Sequence, residues 1–178
     1  MIEHRAFIVA EIPEPVRSQV QAMRDSLNTL TARLPVEITL AGSSGVGPIP
    51  AGTELSLIER HLDRIIPGIA AFRARFSAIR SFPNTSVFYL EPFDRPPFDH
   101  LHQQVRVSGI PFSGIRWPYN PHCTLRGGEP LTADAAAELA GRQFPREEFW
   151  INAVSVYQLD GASLDCKLLC QRTLGGNR

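Results

Sequence analysis

Cysteine is scarce in this sequence: Cys123, Cys166 and Cys170 are the three among 178 residues. An odd, widely spaced set builds no disulfide framework, and no spacing matches a zinc site. Net charge is lacking too. Eighteen Lys and Arg cancel eighteen Asp and Glu. No broad positive field therefore draws in long nucleic acid, and any contact with RNA or a nucleotide has to be local. No apolar run approaches the ~20 residues of a membrane span. The opening stretch MIEHRAFIVAEIPEP has too short an apolar segment for a signal peptide. The reading is a reducing, cytoplasmic location with no membrane partner. What remains is an ordinary soluble composition, 43% apolar, in a chain long enough for one domain or two small lobes.

Two motif absences narrow the chemistry. No G-x-S-x-G nucleophile elbow supports an ordinary ester hydrolase. The stretch GSSGVG (42–47) is neither a dinucleotide fingerprint nor a P-loop, since no Lys-Ser/Thr follows. Its glycines with Ser43 and Ser44 either expose amides to an anion or simply make a tight turn.

Hydrophobic periodicity supplies the elements. AFIVAEI (6–12) reads as a strand. Val16, Val20, Met23, Leu27, Leu30 and Leu34 recur at steps of four and three and predict one helix stopped by Pro35. VEITLA (36–41) is a strand. Leu55, Ile58, Leu62 and Ile65 mark a second helix with Thr53 as N-cap. Residues 69–82 read as one long strand and TSVFYLEP (85–92) as another. Residues 97–108 form a helix, PHCTLRG enters a strand, and 132–143 is an alanine-rich helix. FWINAVSVYQLDG and LDCKLLCQRTL make a closing hairpin. In that strand Cys166 and Cys170 share a face and are read as packing residues; Cys123 is read as buried.

The order contains an echo. Strand, helix, strand ending in VEITL is followed by strand, helix, strand ending in PHCTL, and both key positions keep one offset: 122 − 37 = 85 and 124 − 39 = 85. Alternation puts Glu37 with Thr39 on one strand face and His122 with Thr124 on another, with Ile38, Leu40, Cys123 and Leu125 behind them. If two such lobes face each other, four polar side chains meet. Hydroxyls can donate to phosphate oxygens, and an imidazole that titrates near neutrality can carry a proton.

HCTL after WPYNP resembles the second motif of the two-histidine phosphoesterases, the superfamily of 2′-5′ RNA ligase-like proteins and cyclic phosphodiesterases. Their hallmark is a His-x-Ser/Thr motif in each lobe. The resemblance spans nearly the whole chain. It implies an α+β, bilobal duplicated fold over 1–178, with two antiparallel sheets flanking a cleft and helices outside. The implied activity is metal-independent hydrolysis of a 2′,3′-cyclic phosphate or 2′-5′ phosphodiester, on a small nucleotide or RNA 3′-end phosphate, without a cofactor. His122 is then the acid or base, and Thr39 and Thr124 hold phosphate oxygens. The first motif departs from the pattern, because Glu37 stands where the histidine belongs. Losing one acid–base group removes ~10²–10⁴-fold of rate, and a carboxylate repels a phosphate. Either Glu37 is held protonated, or the ligand is less negative; the rival reading is a non-catalytic nucleotide- or protein-binding module. Around this set, Arg126 shares the polar face if the strand continues past Thr124, Tyr119 and Trp117 are candidate base contacts, and Ser43 is placed near the cleft. His4, His61, His100 and His102 have no motif position.

Overall fold

The computed structural model describes residues 1–27 and 30–175. Strand β1 (Ala6–Glu11) leads into helix α1 (Val16–Ser26), and β2 (Glu37–Ala41) returns antiparallel to β1. Helix α2 (Leu55–Ile65) follows. Next come β3 (Phe72–Ala74), β4 (Phe76–Ser81), β5 (Phe88–Pro92), helix α3 (Pro96–Arg106) and β6 (Cys123–Arg126). Helix α4 (Ala133–Ala140), β7 (Phe149–Ile151), β8 (Ala153–Leu159) and β9 (Cys166–Thr173) complete the chain.

The strands form a four-stranded sheet in the order β2-β1-β8-β9, a three-stranded sheet β4-β5-β6 and a β3-β7 pair; neighbours in all three run antiparallel. The duplicated unit is visible in the connectivity, since β1-α1-β2 and β5-α3-β6 each join antiparallel neighbours through a helix. The helices cross over: α1 packs against β6, and α3 against β2. Each half thus covers strand residues of the other. One apolar cluster links both sheets, with Ile38, Leu40, Leu90, Phe98, Leu101 and Leu125 among its members.

Five expectations need correcting. The first helix ends at Ser26 and does not run to Leu34; residues 28 and 29 lie outside the described residues, Leu30–Arg33 is a 3₁₀ turn, and Leu30 is 67% exposed. The helix's own side chains catch the returning backbone: Gln21 donates to the Ala32 carbonyl at 2.8 Å, and Arg24 to Leu34 and Pro35 at 2.8 and 2.9 Å. At α2, Glu54 and not Thr53 occupies the N-cap position, while the Thr53 hydroxyl donates to Pro50 at 2.8 Å. The stretch 69–82 is two strands, because β3 pairs with β7 and β4 with β5. Likewise FWI separates from the final hairpin, which is β8 with β9. A bulge in β9 lies between the Val156–Cys170 and Tyr157–Leu168 pairs. It turns Cys170 into the core and leaves Cys166 on the cleft face, so the two thiols do not share a side.

Candidate functional site

Between β2 and the neighbouring β6 lies a cavity of about 230 Å³. Its wall includes Glu37, Thr39, Ser43 and Thr124, with Arg24, Thr31, Phe7, Tyr157 and Cys166 around them. Alternation in β2 produces the expected division: Ile38 and Leu40 are wholly buried while Glu37 and Thr39 face the cavity. On β6, Cys123 and Leu125 are wholly buried and Thr124 is not. A second, wider groove of about 450 Å³ adjoins this cavity, the two sharing Leu34, Pro35, Tyr157 and Cys166.

Glu37 is the unusual group. The Thr39 hydroxyl donates to its Oε1 at 3.0 Å. Its Oε2 is shut off from solvent and has no hydrogen-bond partner among the described residues. Burial pushes the carboxyl from 4.5 up to about 7; the Thr39 bond and the Arg24 charge oppose that push, and Glu11 adds to it. Burial thus favours the neutral carboxyl at Glu37 up to about pH 7.

His122 precedes β6 and is 6% exposed. Its ring stands edge-on to Phe82 and Tyr89, with centroids 5.0 and 5.3 Å away, and is not part of the cavity wall described above. Nδ1 lies 2.6 Å from the Asn120 carbonyl. A carbonyl only accepts, so Nδ1 carries the proton and Nε2 is the basic nitrogen. Desolvation lowers the imidazole's pKa, with the Asn120 bond opposing. The cavity thus gathers Glu37, Thr39 and Thr124, while His122 lies off its wall under Phe82 and Tyr89, so three of the four expected polar side chains meet there.

Arg126 does not join the group. A bulge between Phe88 and Tyr89 breaks the alternation after Thr124, and the guanidinium donates to Ser86 and Glu129 carbonyls at 3.3 and 2.8 Å. Tyr119 is stacked on His102, centroids 3.9 Å apart and 4° from parallel, so that ring face is occupied. Its hydroxyl is buried with no partner among the described residues. His102 itself is structural: Nδ1 donates to the Leu40 carbonyl at 2.7 Å, and Gly45, at φ +73°, leaves room for the ring. Ser43 lies on the cavity rim. Trp117 is 55% exposed beside Arg116, away from a packed interior. Among the other histidines, His4 is exposed and His61 is bonded to Arg64 at 2.7 Å.

The sequence reading passed over Arg24. It is 1% exposed, and donates through Nε to the Thr124 carbonyl at 2.8 Å besides its bonds to Leu34 and Pro35. A signal was present: Arg24 falls four residues after Val20 and eight after Val16, a charge inside an apolar stripe. Phe7 and Tyr157, cross-strand partners on β1 and β8, were also passed over because their strands read simply as core.

Facing motif strands under crossed helices, with paired hydroxyls at the cavity, define a protein of the phosphoester-handling class. The sequence pattern described as the 2′-5′ RNA ligase superfamily matches residues 12–163, and the chain belongs to that family. The fold is similar to TT0787 of Thermus thermophilus, with TM-score 0.70 and 20% identity over 98% of this chain and 100% of that one. It is also similar to LigT of E. coli. The LigT structure complexed with 3′-AMP gives 0.60 at 16% identity, over 98% and 99%. The one complexed with phosphate gives 0.64 at 16%, over 98% and 99%. No curated protein matches the chain by sequence.

Proposed function

We propose that the protein is a phosphoesterase that hydrolyses a 2′,3′-cyclic phosphate or 2′-5′ phosphodiester on a nucleotide or RNA 3′ end. Glu37 is the proton donor and His122 the base. The observation that carries this reading is the pair of opposite pKa displacements at the two motif positions: burial raises the Glu37 carboxyl to about 7 and lowers the His122 imidazole. A carboxyl held neutral up to about pH 7 and an imidazole that burial keeps neutral supply one acid and one base at the same pH. In the reaction a water oxygen bonds to phosphorus while the bond from phosphorus to the ribose oxygen breaks. His122 Nε2 takes the water's proton, and Glu37 gives its proton to the departing oxygen. Thr39 and Thr124 donate to phosphate oxygens. Proton return through solvent resets the pair. None of these steps uses a metal or cofactor.

Support also comes from the fold relatives, since E. coli LigT has been solved with 3′-AMP and with phosphate. The groove beside the cavity gives the rest of a nucleotide room. The small cavity and the balanced charge favour a nucleotide or a chain end over long RNA. A cytoplasmic location is part of the same proposal; among the described residues no helix is long and apolar enough to cross a membrane.

One observation favours the rival reading of a non-catalytic binding module: Glu37 Oε2 and the His122 ring are both covered. Phosphorus NMR of the protein with 2′,3′-cyclic nucleotides and 2′-5′-linked dinucleotides, from pH 5 to 8 beside His122→Ala, separates the two. New phosphomonoester signals that vanish in the variant establish the enzyme. Ligand broadening without product establishes the binder, and neither result overturns both.

A further inference from the structure

Arg24 and Glu37 are the two charged side chains on the cavity wall. A buried guanidinium is costly unless an opposite charge meets it. Every hydrogen bond Arg24 makes goes to a neutral acceptor: the carbonyls of Thr124, Leu34, Pro35 and Thr31, and the Cys123 sulfur. No carboxylate among the described residues forms an ion pair with it. Glu37, the carboxylate on the same wall, keeps one oxygen on Thr39 and leaves the other without a partner among the described residues. The fold buries a cation in the cavity wall, and no anion among the described residues is bonded to it.

We infer that Arg24 is the charge partner of an anionic ligand in this cavity, and that it sets a preference for a singly charged phosphodiester over a dianionic phosphomonoester. The inference rests on the proposed phosphoesterase reading and adds the ligand's charge to it. With Glu37 protonated the wall carries one positive charge, which a diester's single negative charge neutralises. A monoester leaves one negative charge over, so the product of hydrolysis is held less well than the substrate. Once Glu37 ionises the wall is neutral overall and the diester loses its counter-charge. The other titratable groups around Glu37 are Glu11 from β1, Cys123 from β6, Cys166 from β9 and Tyr119 from the loop before β6. Burial pushes the two thiols and the phenol upward, so all three are neutral near pH 7. Arg24 also acts on position: one guanidinium bonds the turn entering β2 and the Thr124 carbonyl of β6, and so fixes one motif strand against the other.

The test uses 2′,3′-cyclic AMP, a monoanion throughout pH 5–9, and follows its affinity and hydrolysis by phosphorus NMR beside 2′-AMP. Arg24→Met replaces the buried ion with an apolar chain of similar length, a change cores often tolerate. The expected result is that wild type binds the cyclic ester more weakly as pH rises through about 7, with Glu37 ionising there. Arg24→Met should bind at least ~10-fold more weakly at pH 6, the factor that 1.4 kcal/mol represents. Its pH dependence should move upward, because the charge that favours ionised Glu37 is gone. That movement follows from the lost charge alone; what a scaffolding role would leave unchanged is the preference for the cyclic ester over 2′-AMP, which Arg24→Met should lose. A folded Arg24→Met that binds like wild type overturns the inference and leaves the phosphoesterase reading intact. If that variant does not fold, Arg24→Lys is measured: it keeps the charge but not the fork, and retains binding within about threefold while melting lower. A tenfold loss in Arg24→Lys assigns Arg24 to the scaffold and overturns the inference. Absence of binding and turnover in wild type overturns the phosphoesterase reading, and this inference falls with it.

Discussion

Replacing Glu37 by Gln should make the protein more stable at pH 8 and leave it nearly unchanged at pH 4. The glutamate's carboxyl moves from 4.5 in the unfolded chain to about 7 in the folded one, mainly through burial. Between those values the folded protein keeps a proton that the unfolded chain releases. Stability therefore falls as pH rises through that window and is level above it. Each pH step of the window is worth about 1.4 kcal/mol, which puts the whole loss on the order of 3 kcal/mol. An amide cannot ionise, so the variant escapes the loss. It still accepts the Thr39 hydroxyl on its carbonyl oxygen, where wild type has that bond at 3.0 Å. In a chain of this size about 3 kcal/mol corresponds to roughly 6–12 °C in Tm.

The assay is urea unfolding of both proteins from pH 5 to 8.5, because every other titrating group is common to the pair and cancels in the difference. The variant's advantage should be about 1 kcal/mol at pH 5, grow to about 3 kcal/mol between pH 5 and 7.5, and plateau above that. A difference constant to within about 0.5 kcal/mol across the range would refute the claim that the folded protein holds Glu37 neutral. The acid assigned to the reaction would be lost with it.

Activity on a 2′,3′-cyclic nucleotide should peak between two limbs, falling above about pH 7 as Glu37 ionises and falling on the acid side as His122 protonates below its ordinary value; kcat/KM from pH 4.5 to 9 checks this. His122→Ala should reduce kcat by ~10²–10⁴-fold without unfolding the chain, measured by product formation beside a circular dichroism melt. Tyr119→Phe removes a buried hydroxyl that has no partner among the described residues and keeps the ring on His102; it should stabilise the protein by about 1 kcal/mol in urea unfolding. Gly45→Ala should destabilise by ~1–3 kcal/mol, since φ is +73° and a Cβ would meet the His102 ring; the same unfolding experiment decides it.

The duplicated order was legible because it is written in short-range patterns. Alternation in VEITL and PHCTL marked the faces of β2 and β6, and the constant offset paired them. What escaped was set by contacts distant in sequence. The end of α1 depends on Gln21 and Arg24 catching carbonyls of residues 32, 34 and 35. Four bulges among the described residues, one in β9 and one each between β5 and β6, β4 and β5, and β1 and β2, shift the register without leaving a composition mark. Arg126 and Cys166 were misplaced for that reason. Arg24 was passed over for the opposite one: the periodic pattern that located the helix made its one buried charge look like a surface residue. In such stripes the exception carries the information about the site.

On the proposed reading, in which Glu37 does the work of the first-motif histidine, the sign of the charge changes while the acid still titrates near neutrality. A protonated histidine that donates its proton goes from positive to neutral; a protonated glutamic acid goes from neutral to negative. In a two-histidine site the acid brings positive charge to the phosphate, and here that charge must come from elsewhere. Arg24, buried within the same wall and bonded to the strand that carries Thr124, is placed to supply it. The two substitutions of role belong together. A variant carrying Glu37→His beside the native Arg24 would place two cations on the wall whenever the histidine is protonated. It should bind 2′,3′-cyclic AMP more tightly at pH 6 than wild type. By the same account it should hold the dianionic 2′-AMP more tightly still, slowing product release. Phosphorus NMR titration with both nucleotides checks this. A Glu37→His protein with unchanged preference between monoanion and dianion would show that charge at this position does not govern what the cavity holds.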